Sequence, residues 1–299
     1  MKIPIGIWVE AVIKWLKDNV SGLFDFFKQS LNQVIDFFEM IFTLLPFAVL
    51  LIIFVLIALR TSGIKAAIFT LLGLLVVYFT NLWIPAMETL AMITTATLIA
   101  LIIGVPLGVW MAKSNRVNKI IKPVLDFMQT MPSFVYLIPA VYFFGLGTVP
   151  GTIATIIFAM PPIVKLTDLG IRQVPKEVVE AASAFGATPI QKLVKVQLPL
   201  AMPTMLAGLN QTIMLSLSMV VISAMISAGG LGEEVYRGIG QMNIGAGFEG
   251  GVAVVIIAMV LDKVTQSLGK KDNKGISLIA CTKKLINLIK KKTKTQKDV

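Results

Sequence analysis

Chemistry starts from side chains that titrate, ligate or attack, and this sequence is poor in them. It has no histidine and a single cysteine, Cys281, so the usual general base, the commonest metal ligand and any intramolecular disulfide are missing. No Gly-x-x-x-x-Gly-Lys-Ser/Thr run occurs, which removes a P-loop for nucleotide phosphates. The reading is a chain that is not an enzyme, with no catalytic residue, no metal site and no cofactor of its own. The charged candidates Glu88, Asp126, Lys165, Asp168 and Asp262 lie near the ends of apolar stretches. There, snorkelling or interhelical pairing is favoured over contact with a substrate. Six aromatic residues, Phe127, Phe134, Tyr136, Tyr142, Phe143 and Phe144, offer ring faces for cation–π contact. Of these, Phe127, Phe134 and Tyr136 are the candidate substrate path, with core or lipid-facing packing as the more common role for such rings.

The elements that position these residues follow from composition. Hydrophobic residues make up 56% of the 299 and charged residues 14%, and the mean hydropathy is +0.85. Such a chain is too apolar for one water-soluble core, and a bilayer is the solvent that fits. Apolar runs at Ile41–Leu59, Ile64–Trp83, Met92–Ala112, Phe134–Leu146, Thr152–Val164, Ile213–Ala228 and Val252–Leu261 predict an all-α, polytopic membrane bundle of about seven helices. Pro139, Pro161 and Pro162 interrupt two of these runs, a feature membrane helices tolerate when neighbours satisfy the freed carbonyls.

Basic residues sort the loops. Arg60/Lys65, Lys113/Arg116/Lys119/Lys122 and Arg172/Lys176/Lys192/Lys195 belong inside, together with the tail lysines, while the stretches near Leu82–Glu88, Gly145–Gly151 and Gly229–Gly251 belong outside. With seven spans this gives a plasma-membrane protein with its N-terminus outside and its C-terminus in the cytoplasm. Residues 1–40 repeat apolar side chains every three or four positions, an extracytoplasmic amphipathic segment broken near Ser21-Gly22 that either lies on the membrane surface or packs on the bundle. The tail, residues 269–299, carries ten lysines against two aspartates, so eight of the eleven net positive charges sit there. That concentration argues against nucleic-acid binding by the body of the chain. It leaves a lipid-seeking basic helix and a solubilising end as alternatives for the tail.

Between two spans, on the side read as inside, lies Val174-Pro175-Lys176-Glu177-Val178-Val179-Glu180-Ala181-Ala182-Ser183-Ala184-Phe185-Gly186-Ala187-Thr188-Pro189. Pro175 suits a helix start, Glu177 and Glu180 suit the positive end of its dipole, and Gly186 suits its end. Thr188-Pro189 then opens a second helix, making an elbow whose small residues let a partner seat closely.

The spacing Glu180-Ala181-Ala182, Gly186 and Val196-Gln197-Leu198-Pro199 resembles the cytoplasmic loop of ABC importer permease subunits, with Val196 where that pattern has Ile. Two further stretches resemble the glycine betaine/proline betaine/carnitine/choline branch: Asp126-Phe127-Met128-Gln129-Thr130-Met131-Pro132-Ser133-Phe134-Val135-Tyr136-Leu137-Ile138-Pro139 and Ala228-Gly229-Gly230-Leu231-Gly232. The resemblance implies a type I importer permease core over residues 85–268, with a coupling loop at 172–200 and two additional transmembrane helices at 41–84. It also implies that Glu180, Ala181, Ala182, Gly186, Leu198 and Pro199 form the ATPase-coupling loop. The implied partners are a separate ATPase subunit that holds ATP and Mg, an extracytoplasmic solute-binding protein, a second permease copy and membrane lipid. The implied function is ATP-driven import of compatible solutes in osmoprotection. A single-chain secondary carrier for a small polar solute is the alternative; it calls for inverted repeats or midplane charges, neither of which is clear here.

Overall fold

The computed structural model describes residues 5–269, and every regular element among them is helical. Chain order gives α1 (Ile5–Leu44), α2 (Phe47–Ser62), α3 (Ile64–Phe79), α4 (Trp83–Lys113), α5 (Asn115–Thr130), α6 (Leu137–Phe144), α7 (Thr148–Arg172), α8 (Lys176–Ala184), α9 (Pro189–Lys192), α10 (Leu198–Ser223), α11 (Gly230–Gly240) and α12 (Ile244–Gly269). Four helical stretches are long and apolar enough to cross a membrane, at Trp83–Lys113, Thr148–Arg172, Pro189–Ile226 and Ile244–Thr265. The number rises to 6 if each of two bent pairs is one span, and α3 is a further, shorter apolar helix.

Both bends occur where a proline follows. The residue before proline is pushed out of the α region, and Met131, before Pro132, takes an extended conformation that ends α5. The chain then turns by 109° into a 3₁₀ turn at Ser133–Tyr136 and α6. The run expected as a span of its own at Phe134–Leu146 is thus the short second arm of a broken pair. Pro46 works in the same way between α1 and α2, which meet at 100°. Pro161 and Pro162, by contrast, sit inside a continuous α7. In the N-terminal segment Val20 leaves the helical region, one residue before the expected break at Ser21-Gly22. The basic tail beyond residue 269 lies outside the described residues.

α7 is the centre of the bundle. On one side it meets α4 through Gly104 and Gly108, one turn apart. A Cβ on Gly108 would lie 2.6 Å from both the Val164 carbonyl oxygen and Thr167 Cβ, and one on Gly104 would lie 2.7 Å from Ile163 Cγ2. On the other side Gly208 of α10 would bring a Cβ to 3.0 Å from Leu166. Lipid tails are as apolar as leucine, so close backbone approach and dispersion must hold these helices together.

The two ends of the bundle differ. One end carries the elbow of α8 and α9 with Arg60, Lys65, Lys113, Arg116, Arg172 and Lys263 nearby. At the opposite end Arg237 pairs with Glu233 at 3.6 Å and Glu234 at 3.3 Å. There Glu88 Oε2 accepts from the Gly230 amide at 2.9 Å and Thr89 Oγ1 from the Leu231 amide at 2.8 Å, so two residues of α4 cap the N-terminus of α11. A Cβ on Gly230 would come within 2.5 Å of that Thr89 oxygen. The N-terminal segment packs at this opposite end through α1: Phe24 stacks on Phe143 at 4.3 Å and meets Phe144 edge-on, and Lys17 donates to the Tyr142 carbonyl at 3.1 Å.

Replacing Gly108 by valine is expected to destabilise the purified protein by about 1–3 kcal/mol, since backbone sits where the new side chain must go. Gly251→Ala, where nothing lies within 4 Å, is the control and leaves stability unchanged or slightly raised. Thermal unfolding in detergent compares the two.

Candidate coupling surface and translocation path

The elbow is built by local rules. Pro175 precedes the first residue of α8 and Glu177 occupies its first turn. At the other end the amide of Ala187 bonds the Ala182 carbonyl at 3.0 Å and that of Gly186 bonds Ser183 at 3.0 Å, the pairing of a Schellman stop. Gly186 carries the required left-handed conformation, with φ of +77°. Thr188 then caps α9 through a capping box with Gln191, and Pro189 takes the first turn. Lys192 Nζ donates to Ser183 Oγ at 3.0 Å and ties the two arms together. A π-helical turn at Leu193–Gln197 leads into α10.

Of the residues expected to dock a partner, Glu180, Ala181, Gly186 and Pro199 are exposed, and Glu180 forms no ion pair among the described residues. Ala182 and Leu198 are half-buried. Leu198 packs with Leu193 against Ile171, Ala201 and Met205, so it anchors the loop to the bundle. The structure adds residues that spacing did not single out. Phe185 is 93% exposed and Ile190 is 71% exposed on the same elbow. An aromatic side chain next to a helix-stopping glycine, in a loop with no nearby apolar run to receive it, was the available signal.

Below the elbow a polar network holds the end of α7. Arg172 pairs with Asp168 at 2.7 Å, donates to Asn115 at 2.8 Å and reaches the Met111 carbonyl at 2.6 Å. Asn118 donates to the second oxygen of Asp168 at 2.7 Å. The residue that leads into α8 is therefore fastened to both α4 and α5 by charge-assisted bonds. Asp262 meets Asn210 at 3.0 Å, which joins α10 to α12. Lys165 reaches Asp126 at 2.6 Å and also Gln129.

The three aromatic path candidates do not converge. Tyr136 is 7% exposed, packs with Leu137, Ala140, Ala154 and Met219, and donates its hydroxyl to the Met128 carbonyl at 2.5 Å. Phe127 and Phe134 are 64% and 54% exposed on the flank of the bundle.

Residues 104–270 match the binding-protein-dependent transport system inner membrane component family. The chain belongs to this family. It is a multi-pass membrane permease subunit of an ATP-driven importer, working with a separate ATPase and a solute-binding protein, and is not itself an enzyme. Among its relatives, the glycine betaine/carnitine transport permease protein GbuB of Listeria monocytogenes is 51% identical over 90% of this permease and 96% of its own length. The glycine betaine transport system permease protein OpuAB of Bacillus subtilis is 45% identical over 92% and 98%. The glycine betaine/proline betaine permease protein ProW of Escherichia coli is 48% identical over 90% and 76%. An inward-facing structure of the MetNI methionine ABC transporter shares the fold at 22% identity, with a TM-score of 0.54 over 60% of this permease and 89% of that chain.

Asp168→Ala leaves Arg172 and Asn118 without their carboxylate, a loss of about 1–3 kcal/mol. Hydrogen exchange over residues 173–197 of the permease is expected to quicken, with exchange in the middle of α7 unchanged.

Proposed function

We propose that this permease moves glycine betaine or a closely related betaine into the cell as an osmoprotectant. The carrying observation is the joint one of an exposed, well-capped elbow on a core whose relatives are glycine betaine permease proteins over nearly their whole length.

In this reading two copies of the chain enclose the path, and each inserts α8 into a groove on an ATPase subunit that holds ATP and Mg. Phe185, Ile190 and the small face of Ala181, Ala182 and Gly186 meet that groove, Glu180 offers it a free carboxylate, and Pro199 starts the helix that carries the motion away. Leu198 keeps the elbow seated on its own bundle. The coupling end is cytoplasmic, which supports a C-terminus inside and an N-terminus outside. The basic residues at that end argue for this orientation. The exposed Trp8, Trp15, Phe26 and Phe27 of α1 then lie in the outer lipid interface. The units 1–40, 41–84, 85–268 and 269–299 correspond to interfacial segment, added hairpin, transport core and tail.

Uptake of labelled glycine betaine at high osmolarity, in a host without its own systems, tests the reading. Uptake is expected only when the permease is expressed with its ATPase and binding protein, and uptake by the chain alone would favour a secondary carrier. Phe185→Asp is expected to abolish co-purification of the ATPase while the permease stays folded.

A further inference from the structure

Lys165 lies within the apolar helix Thr148–Arg172, and the coupling elbow does not use it. Lys165 precedes Arg172 by seven residues, about 10 Å along α7. Asp126 and Gln129 meet it from α5, whose Leu125 shares a buried cluster with Val164. The Asp126 side chain is 54% exposed and that of Lys165 27%. A carboxylate so exposed faces water or protein, since lipid tails would not accept it. Phe127, the next residue, is exposed with it, and Phe134 follows just past the bend. α5 thus turns a carboxylate and an amide to the ammonium of α7.

We propose that Lys165, Asp126 and Gln129 form a solute station on the translocation path that takes a zwitterion bearing a carboxylate and a quaternary ammonium. The inference rests on the betaine reading above and assigns it a place. Such a solute is itself an ion pair, so it can exchange with the one already present. Its carboxylate takes the Lys165 ammonium, with the Gln129 amide as a second donor, and its ammonium takes the Asp126 carboxylate. Net charge in the site is the same before and after, so no lone charge is left in the span region. When the solute leaves, the protein pair closes again, which keeps binding weak enough for release.

The test uses the full complex with ATPase and binding protein in liposomes. Asp126→Asn, Lys165→Gln and the double variant Asp126→Leu/Lys165→Met are expected to lower glycine betaine uptake per ATP hydrolysed by about tenfold or more. Were the pair only a strut between α5 and α7, the apolar double variant would restore the contact and return uptake to normal, and that overturns the proposal. A second measurement leaves the pair intact. Gln129→Cys, with Cys281→Ser, is expected to react with a cationic methanethiosulfonate, more slowly when glycine betaine is present. A thiol that does not react, or reacts at the same rate with solute, also overturns it. Absence of uptake by the unmodified complex would instead count against the solute class.

Discussion

Everything in this permease depends on how closely α7 is held. Within a bilayer no hydrophobic force draws one helix to another, so association rests on backbone approach and on a few satisfied polar contacts. Gly104 and Gly108 on one side and Gly208 on the other let α4 and α10 come so near α7 that added Cβ atoms would meet its side chains or its carbonyls. A helix clamped in this way moves as a rod. Its end runs through Arg172 into α8, and Arg172 is bonded to α4 and α5 besides its own Asp168. The elbow is thus an extension of the most tightly packed helix, with only Gln173, Val174 and Pro175 between them. In the proposed coupling, force applied to α8 by an ATPase would reach the transport core through backbone and charge-assisted bonds.

The same rod carries chemistry at three levels. Arg172 and Asp168 fix its end, Lys165 engages α5 about two turns deeper, and near Met160 it supports the bend that breaks α5 from α6. Because α5 holds contacts to both the elbow's base and the charged group above it, tilting α7 against α5 changes both. Bistable packing of this kind is how small displacements at one end become an opening at another.

Much of this was legible beforehand. The all-helical membrane character and the charge asymmetry follow from hydropathy and basic residues, and the elbow follows from capping residues at Pro175, Gly186 and Thr188, because such signals act within a few residues of chain. What escaped was set by contacts distant in sequence. Phe134–Leu146 reads as an ordinary apolar run, and only Pro132 and the packing of Tyr136 show it as a short arm. Tyr136 was grouped with Phe127 and Phe134 on composition, yet its ring is buried while theirs are not. Glu88, read as snorkelling or pairing, caps a helix 142 residues away. Leu198 belongs to the loop motif but faces inward, a matter of rotation about α10 that spacing does not encode.

The central claim is that α7 and α8 move as one body. Spin labels on one permease copy, at Lys176→Cys in α8 and at Thr148→Cys at the far end of α7, in a Cys281→Ser background, report their separation in the full complex with and without ATP. The account predicts a constant distance within a copy while, in the proposed two-copy assembly, the distance between the Lys176→Cys sites of the two copies changes. A within-copy distance that shifts as much as the between-copy one would contradict it.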